Sequence, residues 1–307
     1  MSAWTIAEWY GKDIQTMTSD QRLHCSEIAL RYRKYGVKNT DVPTCPFLSN
    51  VKPSSPCNKL GGVCSIRDYS GENPTQPATV CPNRFLERID GQSIFGFLAE
   101  TLYGVTKGAK VIKEIPFLHK LDADGSIRAT KAGRIDWVLI PNPPTDGDTS
   151  PLDWIAIETQ AVYFSGANMW DDIEAYQSDP TRVHSPSGAR RPDYRSSGAK
   201  RLAPQLHAKS PVMRRWGHKV AVVVDQSFFD ELASMPRNIT DFDNAEVVWV
   251  VVKYSEAMNL YVSQIQFAEL DESIAALQST EPMVRKTFED GLRNELWRKS
   301  NSKVSDA

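Results

Sequence analysis

Two apolar runs of the sequence each carry an acidic residue at a position where a buried strand is predicted. Asp136 lies in the run IDWVLI at residues 135–140, and Glu158 lies in WIAIETQAV at residues 154–162. A carboxylate inside a buried strand costs free energy unless a partner compensates it. Two hard oxygen donors suit a divalent cation such as Mg²⁺. The sequence therefore favours a metal site shared by two strands.

The neighbours of these carboxylates add further candidates and leave alternatives open. Gln160 lies two residues beyond Glu158, so its side chain projects from the same face of the sheet, where it could orient a water molecule without charge. Glu100, on a preceding predicted helix, could add a third carboxylate through a metal-bound water. Structural ion pairs, Asp136 with Arg134 and Glu158 with a lysine such as Lys113, are the alternative to a metal site.

The hydrophobic pattern predicts an α/β fold with a mixed central sheet flanked by helices. The predicted elements are a helix at 19–35 capped by Ser19 or Asp20, an irregular stretch at 39–83, a helix at 94–103, a strand at 111–118 ending near Pro116, a turn at 122–125, the strands of Asp136 and Glu158, a helix at 197–216, buried strands at 220–224 and 247–252, an edge strand at 260–267, and a terminal helix opened by Pro282. The first three strands of this sheet are predicted to be antiparallel.

All five cysteines lie in the first 81 residues, which suggests a separate N-terminal subdomain at 1–91 followed by a second domain at 92–307 that contains both acidic strands. Cys25 falls on the first predicted helix and is interpreted as a core thiol. The four candidate metal ligands are Cys45, Cys57, Cys64 and Cys81. Four thiolates can close a tetrahedral site around zinc or iron, although these spacings differ from the Cys-x-x-Cys pairs of zinc ribbons. The predicted role is structural.

A basic segment follows the two acidic strands. Against one acid, Asp193, it carries six cations: Arg182, Arg190, Arg191, Arg195, Lys200 and Arg201. Arginine suits bidentate bonding to guanine and to phosphate. Beside a carboxylate cluster, this segment is predicted to contact double-stranded DNA, and a solvated basic loop is the alternative.

The combined motifs resemble those of a known family. Asp136 followed by Glu158-x-Gln160 resembles the active-site layout of PD-(D/E)xK nucleases, in most of which a lysine occupies the position of Gln160. With the four cysteines, GRID at 133–136, IETQ at 157–160 and DYRSSGAKRL at 193–202, residues 45–216 resemble the NotI-like type II restriction endonucleases.

The resemblance implies a PD-(D/E)xK core and a homodimer that hydrolyses both strands of a GC-rich palindrome, leaving 5′-phosphate and 3′-hydroxyl ends. It also implies Mg²⁺ dependence, catalytic roles for Asp136, Glu158 and Gln160, and iron at the four cysteines.

Net charge and hydropathy limit the location of the protein and its mode of binding to nucleic acid. The net charge of −2 argues against a wholly basic nucleic-acid coat. No apolar stretch suggests a signal peptide or a membrane span, so a cytoplasmic location is expected.

Two alternative functions also fit the motifs. Gln160 also fits a non-catalytic DNA-binding protein on a degenerate nuclease fold. The cysteines also fit an iron–sulfur oxidoreductase.

Overall fold

The computed structural model describes residues 4–36, 41–71, 75–165, 169–185, 191–279 and 283–298. The N-terminal part contains one long helix and six short strands: β1 (Trp4–Trp9), β2 (Lys12–Asp13), α1 (Ser19–Tyr35), β3 (Val63–Asp68), β4 (Ala78–Thr79), β5 (Arg88–Ile89) and β6 (Gln92–Ser93). The first four strands form one sheet in the order β2-β1-β3-β4, and β5 pairs with β6.

The second part is built on a six-stranded mixed sheet. Its strands and helices are α2 (Ile94–Tyr103), β7 (Lys110–Leu121), β8 (Ile127–Ile140), β9 (Ile155–Thr159), β10 (Tyr163–Ser165), α3 (Trp170–Ser178), β11 (Arg191–Asp193), α4 (Tyr194–Ser197), α5 (Ala203–Arg215), β12 (Val220–Asp225), α6 (Gln226–Asp230), β13 (Val247–Tyr254), β14 (Leu260–Ala268), α7 (Leu270–Gln278) and α8 (Arg285–Leu296). The sheet order is β14-β13-β12-β9-β8-β7, while β10 and β11 form a separate ribbon.

The centre of the large sheet is parallel and its edges are antiparallel. Strand β12 runs parallel to both β9 and β13, whereas β7, β8 and β9 are successively antiparallel, as the sequence predicted. The continuous apolar runs of β12 and β13 are buried on both faces, which is typical of central parallel strands. The predicted mixed α/β sheet flanked by helices is confirmed.

Several element boundaries differ from the predictions. Helix α1 is capped by Thr18, not by Ser19 or Asp20, because the Thr18 side chain accepts from the Gln21 amide while the Gln21 side chain accepts from the Thr18 amide. Strand β7 continues past Pro116, since an edge strand tolerates a residue without an N–H donor. Helix α8 begins at Arg285, its apolar residues are exposed, and Pro282 lies outside the described residues.

The stretch at 39–83, expected to lack regular structure, contains two strands. Strand β3 pairs antiparallel with β1, and β4 pairs with β3. The first four residues of β3 are all buried, Ser65 included, so no alternation of polar and apolar residues marks it in the sequence. A cluster of buried apolar side chains runs through both parts of the chain. The division at residues 91 and 92 stays a prediction.

A buried ion pair joins the N-terminal sheet to the large sheet. The Arg84 Nε donates to both carboxylate oxygens of Glu8, at 2.9 and 3.0 Å, and both residues are almost fully buried. The Ser65 hydroxyl also donates to Glu8, at 2.6 Å. The Arg84 Nη2 donates to the carbonyl of Met258, on the turn between β13 and β14. Arg84 therefore holds two sheets together.

Arg84→Met should lower the free energy of unfolding by about 3–5 kcal/mol, because it leaves the Glu8 carboxylate buried without its cation. Urea unfolding of the purified variant would measure the change. The matched control is Arg285→Met, which removes an exposed arginine paired with Glu289 and should change stability by at most about 0.5 kcal/mol. Equal effects of the two substitutions would contradict this assignment.

Candidate active site

The pairing of β8 with β9 brings the two predicted carboxylates together. The last registered pair of these antiparallel strands is Trp137 with Ile157, so Asp136 and Glu158 occupy the next opposed positions and their side chains share a face. The Asp136 Oδ2 accepts hydrogen bonds from the backbone N of Thr159, at 3.1 Å, and from its hydroxyl, at 3.3 Å. Thr159 therefore fixes one oxygen of Asp136 beside β9.

Glu158 is buried and paired with a lysine on α5. The Nζ of Lys209 lies 2.6 Å from the Glu158 Oε1 and also donates to the Gln205 side chain at 3.0 Å. Burial, followed by the negative charge of Asp136, raises the pKa of Glu158 to about 7, while Lys209 opposes the shift. The ammonium group of Lys209 therefore engages Oε1, whereas Oε2 is buried without a hydrogen-bond partner among the described residues. A buried carboxylate oxygen that lacks a partner suits a cation.

The two cations that the sequence suggested as ion-pair partners of Asp136 and Glu158 pair with another residue. Lys113 and Arg134 both pair with Glu114, at 3.2 and 3.0 Å. Glu158 pairs with Lys209, which lies far along the sequence and was not predicted as a site residue. The suggested pairing of Asp136 with Arg134 is therefore not found, whereas Glu158 does have a lysine partner, which is Lys209 instead of Lys113.

Two adjoining clefts open at the ends of these strands. The first, of about 360 Å³, is lined by Asn58, Lys59, Cys81, Pro82, Asn83, Lys113, Glu114, Asp136, Trp137 and Thr159. The second, of about 550 Å³, shares Lys59, Pro82 and Thr159 with the first and contains Gln160, Tyr163 and Arg201. Because they share three residues, the clefts form one groove between the cysteine-containing segment and the large sheet. We call it the active-site groove.

Gln160 lines the groove, but its side chain already has a partner. The Gln160 Nε2 donates to the carbonyl of Ala161 at 2.5 Å, and its backbone N donates to Val223 of β12 at 3.0 Å. The amide oxygen of this side chain can still accept a hydrogen bond from water. Gln160 thus lies at a position from which it can orient a polar ligand.

The predicted candidate Glu100 lies outside the groove, and Glu114, which was not predicted, lines it. Glu100 is exposed on α2, where its carboxylate accepts from Gln92 at 3.1 Å, and it is not among the groove-lining residues. Glu114 lines the groove beside Asp136 and has a backbone φ of 55°, which is unusual for a residue other than glycine. No sequence pattern singled out Glu114, because a glutamate in a Lys-rich edge strand is ordinary.

The four predicted cysteine ligands are buried and lie on two pairs of neighbouring segments. The amides of Cys45 and Cys57 donate to Ser55 and Pro43 beside an isolated bridge between Thr44 and Pro56, and the carbonyl of Cys64 accepts from the amide of Cys81 at 3.2 Å. Burial raises the pKa of Cys57 to about 12, and Cys45 and Cys81 add to the shift. The thiols of the two pairs are therefore electrostatic neighbours.

The four-cysteine cluster supplies the donor atoms of a tetrathiolate site without its final geometry. Among the described residues, which include all four cysteines, no group of three or more His, Cys, Asp or Glu side chains is arranged to hold a metal ion. The chemistry of the donor set fits zinc or iron. The present side-chain positions do not form a closed coordination shell.

The basic segment borders the active-site groove through the β10–β11 ribbon. Strand β10 begins four residues after Thr159, and Ser165 pairs with Arg191 on β11. The guanidinium of Arg201 lies over the ring of Tyr163, 4.3 Å from its centroid, and lines the groove with Gln160. Arg182 is exposed and pairs with Asp179 at 2.9 Å. Arg195 and Lys200 are exposed on the helix that begins at Tyr194, and Arg190 lies outside the described residues.

The fold and the groove define a mixed α/β protein with paired strand carboxylates beside a basic helix. A comparison with protein families finds that the model of the family described as restriction endonuclease NotI matches residues 29–266. The match covers more than half of the chain and includes every candidate site residue, so the protein belongs to the NotI restriction endonuclease family. The family suggests a type II restriction endonuclease and implies a nuclease that binds double-stranded DNA.

A search of curated proteins finds no match to this chain. In the part of the chain that the structure describes, every helix is too short or too polar to cross a bilayer.

In metal-free buffer, raising the pH from about 4.5 to about 7 should lower the stability of the protein relative to Glu158→Gln. The pKa of folded Glu158 is about 7 against an ordinary 4.5, so the native state binds more protons than the unfolded state across this window and loses stability as they leave. Urea unfolding of both proteins at several pH values in this range would measure the difference. A difference that does not change with pH would contradict the assignment.

Proposed function

We propose that the protein is a Mg²⁺-dependent type II restriction endonuclease that cleaves both strands of double-stranded DNA at a GC-rich palindrome. The observation that carries the proposal is the opposition of Asp136 and Glu158 on neighbouring strands. Asp136 lines the groove bordered by Arg201, and Glu158 is buried in the next strand without lining the groove itself. Within this proposal the chain has a PD-(D/E)xK core at 92–307 and works as a homodimer, since a palindrome presents two equivalent strands.

The residues of the groove fit a divalent cation. Mg²⁺ is usually held by one or two carboxylates together with water and substrate phosphate, so two protein ligands suffice. Asp136 and Glu158 would hold it, and the Glu158 Oε2, which has no hydrogen-bond partner among the described residues, is an available ligand. When bound, such an ion lowers the pKa of water and neutralises charge at the phosphate.

The remaining steps depend on side chains of this chain. Gln160 would orient the attacking water through its amide oxygen. Arg201 lies in the same groove, where its guanidinium would bind a phosphate of the DNA. Arg182, Arg191, Arg195 and Lys200 would contact DNA outside the groove, and Arg190 is a further candidate for DNA contact. Glu100 does not line the groove and would act only through a water molecule, whereas Glu114 lines the groove.

The purified protein should convert plasmid DNA into discrete fragments when Mg²⁺ is present, and none when EDTA replaces it. Asp136→Ala should lower the cleavage rate by at least about 100-fold, because it removes one of two cation ligands. A gel shift in Ca²⁺ should show that this variant still binds DNA. Glu256→Gln, at an exposed residue of the β13–β14 turn, is the control and should cleave normally.

The same experiment tests the alternative function. A non-catalytic DNA-binding protein, which Gln160 in place of lysine favours, would shift DNA in the gel and leave plasmid intact with every divalent cation. Full cleavage by Asp136→Ala would show that the proposed site is wrong.

We also propose that Cys45, Cys57, Cys64 and Cys81 bind one structural zinc or iron ion. The support is chemical: four buried thiols lie on paired segments, and Cys45 and Cys81 both add to the raised pKa of Cys57. Binding would deprotonate the thiols and bring the two pairs into one coordination shell. Such a closed site would stabilise the segment that forms one wall of the groove.

Elemental analysis of the purified protein should find about one zinc or iron per chain. Cys57→Ser should lose the metal, whereas Cys25→Ser should keep it because Cys25 is a buried thiol on α1 outside the cluster. Absence of stoichiometric metal in the wild-type protein would contradict this part of the proposal. Acid-labile sulfide with strong visible absorbance would favour an iron–sulfur oxidoreductase instead.

A further inference from the structure

A buried ammonium group reaches the candidate metal site from helix α5. Lys209 is 4% exposed and Glu158 is 2% exposed, and the Lys209 Nζ lies 2.6 Å from the Glu158 Oε1. Gln205, one turn earlier on the same helix, accepts a hydrogen bond from the same Nζ. A lysine is rarely buried so deeply without a charge partner. The fold therefore places the Lys209 ammonium group where it pairs with the Glu158 carboxylate.

The net charge of the site suggests what this lysine does. Asp136 and Glu158 bring two negative charges to one sheet face, and Gln160 brings none. In the common PD-(D/E)xK layout, a lysine at the position of Gln160 would leave a net charge of −1. In this chain Lys209 gives the same net charge from a helix instead of from β9.

We propose that Lys209 is a positioning residue that supplies from α5 the positive charge that position 160 lacks. It holds the Glu158 carboxylate opposite Asp136 and offsets the repulsion between the two acids, so that both are placed as ligands before a divalent cation binds. Gln160 is then left to orient water as a neutral group. The inference rests on the proposed endonuclease activity.

A purely structural ion pair would have a different signature. Removal of a structural pair lowers stability but leaves the Mg²⁺ requirement of the folded enzyme unchanged. Removal of a residue that positions a metal ligand typically costs roughly 10- to 100-fold in metal affinity or activity. The dependence of cleavage on Mg²⁺ concentration therefore separates the two roles.

The test compares single-turnover plasmid cleavage by the wild-type protein and by four altered proteins across a range of Mg²⁺ concentrations. Lys209→Met should cleave roughly 10- to 100-fold more slowly, or need more Mg²⁺ by the same factor, while binding DNA normally in Ca²⁺. Lys209→Arg keeps the charge and should retain more activity than the methionine variant. Arg215→Met, which removes an exposed cation from the last turn of α5, is the control and should cleave at the wild-type rate.

The fourth altered protein, Lys209→Met with Gln160→Lys, returns a positive charge to the strand. Residue 160 directly follows β9, two residues and about 7 Å beyond Glu158, so a lysine there can reach the carboxylate. This double variant should recover cleavage by at least about tenfold over Lys209→Met, since the charge rather than its origin is what the site requires.

The outcomes distinguish this inference from the proposed function. Intact plasmid with the wild-type protein would overturn the endonuclease proposal itself. Wild-type cleavage together with an unchanged rate and Mg²⁺ requirement in Lys209→Met would overturn only the role of Lys209. Circular dichroism reports folding of each variant. If Lys209→Met does not fold, the double variant decides: folding with cleavage supports the inference, and failure of either contradicts it.

Discussion

The register of β8 against β9 is the constraint on which the candidate site depends. It places Asp136 opposite Glu158, and a slip of one residue would turn one of the two side chains to the other face of the sheet. The register is held from the other side as well, because β9 pairs in parallel with β12 and the amide of Gln160 bonds to Val223. A buried Glu158 also requires a cation, which Lys209 supplies. The pairing of two apolar strands thus holds two acidic side chains next to each other on one face of the sheet.

The N-terminal sheet is joined to this site by specific polar contacts. The backbone of Thr79 on β4 donates to the Asp225 carboxylate at the end of β12 and accepts from Val162, just beyond Gln160. Its hydroxyl bonds to that of Tyr254 at 2.8 Å. Cys81 follows two residues later and lines the active-site groove with Asp136. Any change in the four-cysteine segment therefore changes one wall of the groove, which links its folding to the geometry of the site.

The sequence predicted the large sheet well, because its strands have strong signals. The runs around Val220–Val224 and Val247–Val252 are apolar throughout, and the turn at 122–125 has the Asp-Gly signature that separates β7 from β8. The N-terminal sheet was missed because β3 is buried on both faces and interrupted by Ser65, whose hydroxyl is satisfied by Glu8. A long-range ion pair leaves no periodic pattern in a sequence.

The sequence predicted only part of the candidate site, because only some of its residues stand out from their neighbours in the chain. Asp136 and Glu158 were found because a carboxylate inside an apolar run is conspicuous in a single strand. Lys209 and Glu114 were not, because each is conspicuous only once the fold brings it beside a carboxylate or into the groove. Lys209 lies 51 residues beyond Glu158 on a helix with several other cations, so its partner could not be inferred from spacing.

Sharing of one divalent cation by Asp136 and Glu158 is tested most directly in crystals of the protein with DNA soaked in Mn²⁺, through the anomalous scattering of the metal. We expect one peak per chain within bonding distance of oxygens from both carboxylates and of a DNA phosphate. A peak bound elsewhere in the groove, or two carboxylates that stay apart with the metal on neither, would contradict it.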